Sequence, residues 1–197
     1  MSALVSLSVG DLVLRAHRSG DLADLRAAFA DPLVQAWNPG PAEDDEQGSA
    51  AAAWMSSRND WSDGSHVSWA LGGVDGRLLG SVSLHKIDRE QDDAEVGYWL
   101  APWARGHGWG ALAVAAAAGF GFERLKLHRL HLFHAVENQA SCRLATVAGF
   151  ALEGRLRQSY RYLNGPYHDE HLHGRLASDP EPNLALDQAG SPPANVG

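Results

Sequence analysis

Glycines alternate with larger residues in Arg105-Gly-His-Gly-Trp-Gly-Ala111, and an alanine-rich run follows at once. Gly106, Gly108 and Gly110 leave no side chains over a turn, so consecutive backbone N–H groups can point outward together. A helix opening there adds its own unpaired N–H groups and the positive end of its dipole. The product is an anion cradle that suits a phosphate or pyrophosphate, and Arg105 adds a fixed charge able to meet phosphate oxygens bidentately. On glycine spacing alone, a flexible turn into a buried helix is an equal alternative. Gly106-x-Gly-x-x-Ala111 also fits a dinucleotide-binding fingerprint superficially. That reading fails on context, because the loop follows a meander and no acidic residue caps a second strand about 20 positions on.

Other residues could do chemistry. Asn138 and Ser141 lie three apart at the start of a helix, where Asn138 reads as an N-cap and Ser141 is in excess of one. Cys142 follows; a buried structural thiol is the plainer reading than an activated one. His168, His171 and His173 share one short stretch, and strand alternation places 171 and 173 on one face. Without a further partner no metal is expected there. Tryptophans before residue 70 suggest either core or an aromatic-walled pocket.

These residues need elements to hold them. Asp93-Ala-Glu-Val-Gly-Tyr-Trp-Leu100 reads as a strand, stopped by Ala101-Pro102. Residues 111 to 122 read as a helix and 129 to 136 as another strand, a crossover that suits parallel pairing. Residues 11 to 16 alternate like a strand. Ser19 or Asp21 caps a helix over Leu22 to Phe29, and Pro32 ends it. The acidic cluster Glu43-Asp-Asp-Glu46 suggests the first turn of a second helix through Ala50 to Met55. Asp75-Gly76 and Asn164-Gly165 mark hairpins. From Ala177 to residue 197 the composition of Pro, Ser, Asp and Gly predicts a weakly structured tail behind a single domain of residues 1–176.

The ordered set of Glu95-Val-Gly-Tyr-Trp-Leu100, Arg105-Gly-His-Gly-Trp-Gly110 and Asn138-Gln-Ala-Ser141 followed by Gly149-Phe150 resembles the GCN5-related N-acetyltransferase (GNAT) superfamily. The resemblance covers roughly residues 11 to 176 and is strongest to the branch that acetylates ribosomal-protein N-termini. It implies an α/β (α+β) fold: a mixed, mostly antiparallel sheet of six to seven strands with helices on both faces. The strands at 93–100 and 129–136 would run parallel and then splay into a wedge for a pantetheine arm.

The same resemblance assigns roles. Backbone N–H groups from Gly106, His107, Gly108, Trp109, Gly110 and Ala111 would hold the pyrophosphate of acetyl-CoA or coenzyme A, with Arg105 alongside. Trp99 and Leu100 would offer backbone groups to the pantetheine. Asn138 and Ser141 belong to the same donor site, Ser141 as proton donor to the departing thiolate. Glu95 shares a strand face with Gly97 and Trp99 and would take the amine's proton if that face lines the wedge; an edge-of-site salt bridge is the alternative. Ribosomal relatives would carry an acidic residue before the last hairpin, where this chain has Ser159-Tyr160-Arg161, leaving Tyr160 as a substrate contact.

Composition bounds the class. The 197 residues are 45% hydrophobic and 20% charged, ordinary for one globular domain. Sixteen basic against twenty-four acidic residues give a formal charge of −8, which argues against nucleic acid as partner and is compatible with amines or with simple solubility. One cysteine excludes an internal disulfide framework. With no signal peptide and no apolar run long enough for a membrane, a cytoplasmic protein is expected. The leading reading is an acyl-CoA-dependent N-acyltransferase acting on a protein N-terminus or small-molecule amine, with a homodimer as the expected assembly. A non-catalytic acyl-CoA sensor and a succinyl-CoA-dependent transferase stay open.

Overall fold

The computed structural model describes residues 4–38, 40–41, 49–163 and 165–184. Its centre is an eight-stranded sheet in the order β1-β2-β3-β4-β5-β6-β8-β7. The strands are β1 (Leu7–Val9), β2 (Leu12–Arg15), β3 (Val67–Gly72), β4 (Leu78–Asp88), β5 (Asp93–Leu100), β6 (Arg129–Ala135), β7 (Ala151–Arg161) and β8 (Tyr167–Leu176). All neighbours are antiparallel except β5 and β6. The expected six to seven strands become eight because Leu7–Val9 pairs with β2 at the edge. Three residues are too few to show alternation in a sequence.

The helices are α1 (Leu22–Phe29), α2 (Pro32–Trp37), α3 (Ser49–Asn59), α4 (Trp109–Glu123) and α5 (Gln139–Val147). Pro32 does not merely end α1, as expected; it opens α2 at its first position, and Asp31 caps that helix by accepting from the Val34 N–H at 3.0 Å. Proline fits there because its missing N–H would have been unpaired anyway. The acidic cluster at 43–46 lies outside the described residues.

Cross-strand register sorts side chains onto two faces. Ser68, Ser83 and Gly97 are opposite one another, as are Ala70, Ser81 and Trp99, and as are Trp69, Val82 and Tyr98. On the first face Trp99 meets Phe29 of α1 at 5.0 Å, and Phe29 meets Trp54 of α3 at 6.2 Å. On the second, fully buried Trp69 meets Phe120 of α4 at 5.1 Å. Helices therefore cover both faces. α4 is apolar nearly all round, with Ala111, Ala113, Val114, Ala117 and Ala118 buried, which suits a helix enclosed between sheet and neighbours. Past β8, up to residue 184, the chain has no helix or strand but makes side-chain contacts with the fold. The buried Arg175 guanidinium reaches Glu181 at 3.0 Å, the Leu176 N–H reaches Asp179, and Leu184 packs on the core. The rest of the expected tail lies outside the described residues.

Candidate active site

β5 and β6 pair over only three residues, Asp93 with Arg129, Ala94 with Leu130 and Glu95 with His131. Beyond them β5 stays paired with β4 to Leu100, and β6 with β8 to Ala135. The two strands therefore part, and the expected wedge is present. A cleft of ≈ 1010 Å³ runs through it, walled by β5 from Gly97 to Leu100, by Phe133 and His134 of β6, and by the first turn of α5.

At one end lies the glycine loop. Gly106 and Gly108 have φ of +81° and +75°, and a Cβ at either would meet nothing within 4 Å. Glycine is selected there by the left-handed backbone and not by space. Gly110 is different: its Cβ would lie 2.5 Å from Leu144 Cδ1 and 2.9 Å from Leu100 Cδ1, so its absence lets α4 close on α5 and β5. The N–H groups of residues 106 to 110 donate to no acceptor among the described residues, whereas the Ala111 N–H is used by Gly108 O at 3.1 Å. Of the six amides expected to hold a pyrophosphate, five are thus unpaired and that of Ala111 is taken internally. His107 stacks on Trp109 with ring centroids 4.3 Å apart and planes 18° apart, and Trp109 also packs on the core.

Arg105 lines the cleft, but its Nη2 is bound to Asp31 Oδ1 at 2.6 Å. The pair holds Asp31 below the usual carboxylate range, mainly through that hydrogen bond. A guanidinium has five N–H donors, so the rest of the fork is left to face an anion.

On the α4/α5 side, Asn138 Oδ1 accepts from the Ser141 N–H at 3.1 Å, which makes Asn138 the N-cap of α5. The Tyr98 hydroxyl donates to Ser141 O at a long 3.5 Å. Burial pushes the Tyr98 phenol up to about 12, so it is protonated at neutral pH. Sequence reading missed Tyr98, although it lies inside the quoted motif. Period-two alternation put it on the face away from Glu95, and only the position of α5 shows that this face reaches Ser141.

On the opposite side of the sheet, Glu95 Oε2 binds Lys86 Nζ at 2.7 Å and Glu95 Oε1 binds His85 Nε2 at 3.3 Å. Consecutive residues of a regular strand point to opposite faces. Here Lys86 has φ +52° and the β4–β5 register shifts between His85 and Asp88, a bulge that turns both side chains to one carboxylate. Burial would raise Glu95, but hydrogen bonds from His85 and Lys86 overcome it and hold the carboxyl at about 2. Such a carboxylate is a weak base, and its two oxygens are taken by His85 and Lys86. The His85 ring lies against Gly97, where a Cβ would meet its Cε1 at 2.9 Å, and its Nδ1 is 3.4 Å from Ser83 Oγ.

Tyr160 is exposed at the cleft's rim, stacked edge-on against Tyr162 at 4.7 Å. Beside the Ser159-Tyr160-Arg161 stretch stands a carboxylate from the next strand. Buried Glu170 of β8 accepts from Ser159 Oγ at 2.9 Å and from Tyr162 Oη at 2.8 Å. Trp37 and Trp54 line the cleft, whereas Trp61 and Trp69 are core, so both expectations for the tryptophans hold in part. Around the floor, Trp54 Nε1, Ser68 Oγ and Trp99 Nε1 are buried without a partner among the described residues. Buried polar groups are normally paired, so these mark where a ligand's polar atoms would be met.

Residues 11–151 match the family described as Acetyltransferase (GNAT) domain. The chain belongs to this family. It is 38% identical over 95 residues to YdaF of Bacillus subtilis, covering 48% of this chain and 51% of that protein. It is 33% identical over 99 residues to the ribosomal-protein-serine acetyltransferase of Escherichia coli, covering 50% and 55%. The matched stretch thus spans about half the length of these relatives. Among solved structures, the spermidine N-acetyltransferase of Vibrio cholerae, determined with CoA and spermine, superposes with a TM-score of 0.71 at 25% identity over 86% of this chain and 97% of that one. Among the described residues no helix is long and apolar enough to cross a membrane.

Proposed function

We propose that this protein is an acyl-CoA-dependent N-acyltransferase that moves an acetyl group from acetyl-CoA to a primary amine by direct attack. The observation that carries the reading is the five unpaired amides of residues 106–110 at one end of a cleft that opens where β5 and β6 part. Those amides, the dipole of α4 and the remaining donors of Arg105 suit a pyrophosphate. The donor supplies an activated thioester carbonyl. The N–H groups of β5 that β6 no longer faces suit a pantetheine arm and the carbonyl oxygen.

The acceptor amine would enter from the α1–α3 face. Its proton would pass to His85 Nδ1, with Glu95 fixing the tautomer by accepting from Nε2. On the α4/α5 side the departing thiolate would be protonated by the Ser141 hydroxyl or the neutral Tyr98 phenol. Attack and departure thus lie on opposite sides of the sheet, and proximity supplies much of the acceleration. The carboxylate of Glu170 and the aromatic walls of Trp37 and Tyr160 suit a cationic acceptor. A protein N-terminus and a polyamine both have that chemistry.

The test is thiol release from acetyl-CoA with a panel of N-terminal peptides and polyamines, with succinyl-CoA as a second donor. Acceptor-dependent release with acetyl-CoA is expected. Tight donor binding with no release across the panel would turn the reading to a sensor. The homodimer reading finds support in β7, an edge strand exposed along nearly its whole length that carries Leu152 and Leu156. Sedimentation of the chain as a monomer at micromolar concentration would refute it.

A further inference from the structure

Behind the cleft wall, three elements bring four soft donors together. His134 comes from β6, His171 and His173 from β8, and Cys142 from the first turn of α5. Their ligand atoms all lie within 4.8 Å of one another. His134 Nε2 is 3.2 Å from His173 Nε2, and Cys142 Sγ is 3.8 Å from His173 Nε2 and 4.0 Å from His171 Nδ1. A tetrahedral zinc with nitrogen at about 2.0–2.1 Å and sulfur at about 2.3 Å holds its ligands about 3.3–3.4 Å (N···N) and 3.5–3.6 Å (N···S) apart. The two spacings to sulfur need to close by a few tenths of an ångström and the one between nitrogens to open slightly.

The tautomers are already set. His134 Nδ1 is 2.8 Å from Ala135 O and His173 Nδ1 is 3.2 Å from Phe150 O. A carbonyl can only accept, so each Nδ1 carries a hydrogen and each neutral ring presents the lone pair of its Nε2. Two lone pairs then face each other at 3.2 Å between rings that are 4% and 0% exposed. That arrangement is repulsive unless an electron-pair acceptor sits between them. A backbone carbonyl behind each ligating imidazole is the arrangement that orients histidines on metals. A single shared proton would satisfy the two imidazoles, but it gives no account of Cys142 and His171 converging on the same point. Cys142 and His171 are half-buried, which leaves a path for an ion from solvent.

We infer that His134, Cys142, His171 and His173 form a tetrahedral zinc site of three imidazole nitrogens and one thiolate that pins the first turn of α5 to β6 and β8. The expectation of no metal rested on finding only two histidines on one face of one strand; β6 and α5 supply the missing partners. Tetrahedral nitrogen and thiolate donors select zinc over the hard oxygen-seeking cations. The ion would hold the turn that carries Asn138 and Ser141, and it would occupy the Cys142 thiolate. The site is structural and does not depend on the transferase reading.

The test uses the full chain. Metal content after purification in zinc-containing medium, zinc affinity of the stripped protein against a chromophoric chelator, and the absorption spectrum with cobalt are measured together. One tightly held zinc per chain is expected, with cobalt giving a thiolate charge-transfer band and the intense visible bands of a tetrahedral site. Cys142→Ala should abolish the charge-transfer band and weaken zinc by ~100-fold or more, beyond the ~10–100-fold that a neighbour of a ligand is worth. His171→Ala, also half-buried, should weaken zinc comparably while keeping the charge-transfer band, and circular dichroism checks that both variants fold. Sub-stoichiometric zinc lost on one desalting step, or zinc bound by Cys142→Ala as tightly as by the parent, overturns the site. Thiol release plays no part in these readouts, so their failure leaves the proposed activity standing, and the reverse.

Discussion

Gly108→Ala isolates the backbone of the anion cradle. Gly108 has φ +75° and caps α4, and a Cβ there touches nothing within 4 Å, so the substitution adds no clash and removes no contact. Alanine in the left-handed region costs ~1–2 kcal/mol. The chain either retains its path at that cost or relaxes to negative φ and swings the peptide planes at 108 and 109 away from the cradle. Relaxation loses one or two amide hydrogen bonds to a charged phosphate, each worth ~1.5–3 kcal/mol. At about 1.4 kcal/mol per tenfold, one lost bond weakens the donor by ~10–150-fold. Titration calorimetry with coenzyme A should show that loss, with kcat at saturating donor within about threefold of the parent and the acceptor KM unchanged. Gly119→Ala in the middle of α4, also with nothing within 4 Å, is the control. It should stabilise the fold by ~0.5–1 kcal/mol and leave donor affinity alone. Parent-like affinity for coenzyme A in a Gly108→Ala protein that also keeps parent-like stability would refute the cradle, because a retained left-handed path must show its strain cost and a relaxed one must show lost affinity.

Three further outcomes bear on the site. Glu95→Gln should lower kcat by ~10-fold or more with little change in donor affinity, because His85 loses its orienter; loss of donor affinity with kcat intact would refute that role. The same substitution carries a pH signature. A carboxyl held at about 2 against an ordinary 4.5 stabilises the fold above the unfolded value, and that contribution fades as pH falls from 4.5 toward 2. The shift corresponds to ~3 kcal/mol at about 1.36 per unit, and solvent screening of the partly exposed Lys86 pair brings the expectation to ~1–2 kcal/mol. Urea denaturation should show Glu95→Gln less stable at pH 7 and the gap closing at pH 3; a gap independent of pH refutes the assignment. Ser141→Ala and Tyr98→Phe should each lower kcat modestly, and the pair should lose more than the product of the singles because either hydroxyl can protonate the thiolate. Multiplicative losses would mean separate roles.

The glycine loop, the strand before it and the Asn138 cap were legible because each is local: a turn that needs positive φ, a residue alternation, a side chain three positions from the N–H it accepts. The splay of β5 from β6 was legible only through the family resemblance, since nothing in either strand's residues says where pairing stops. Glu95 shows the limit clearly. Alternation gives the face it shares with Gly97 and Trp99, but its partners depend on a bulge at Lys86 that local pattern does not report, and there the carboxylate is ion-paired.

By itself the sequence determined which segments are strands and helices and where an anion could be held, because spacing along one chain sets those. It also determined that Asp31 precedes a proline, although the helix they open went unread. Only the tertiary structure decided what meets between elements: Glu170 binding Ser159 and Tyr162, Tyr98 reaching Ser141, and Cys142 joining His134, His171 and His173. Those meetings depend on the sheet placing β8 between β6 and β7, and on the register between strands far apart in the chain. A one-residue slip in that register would turn Glu170, His171 and His173 to the other face, and no local pattern reports it.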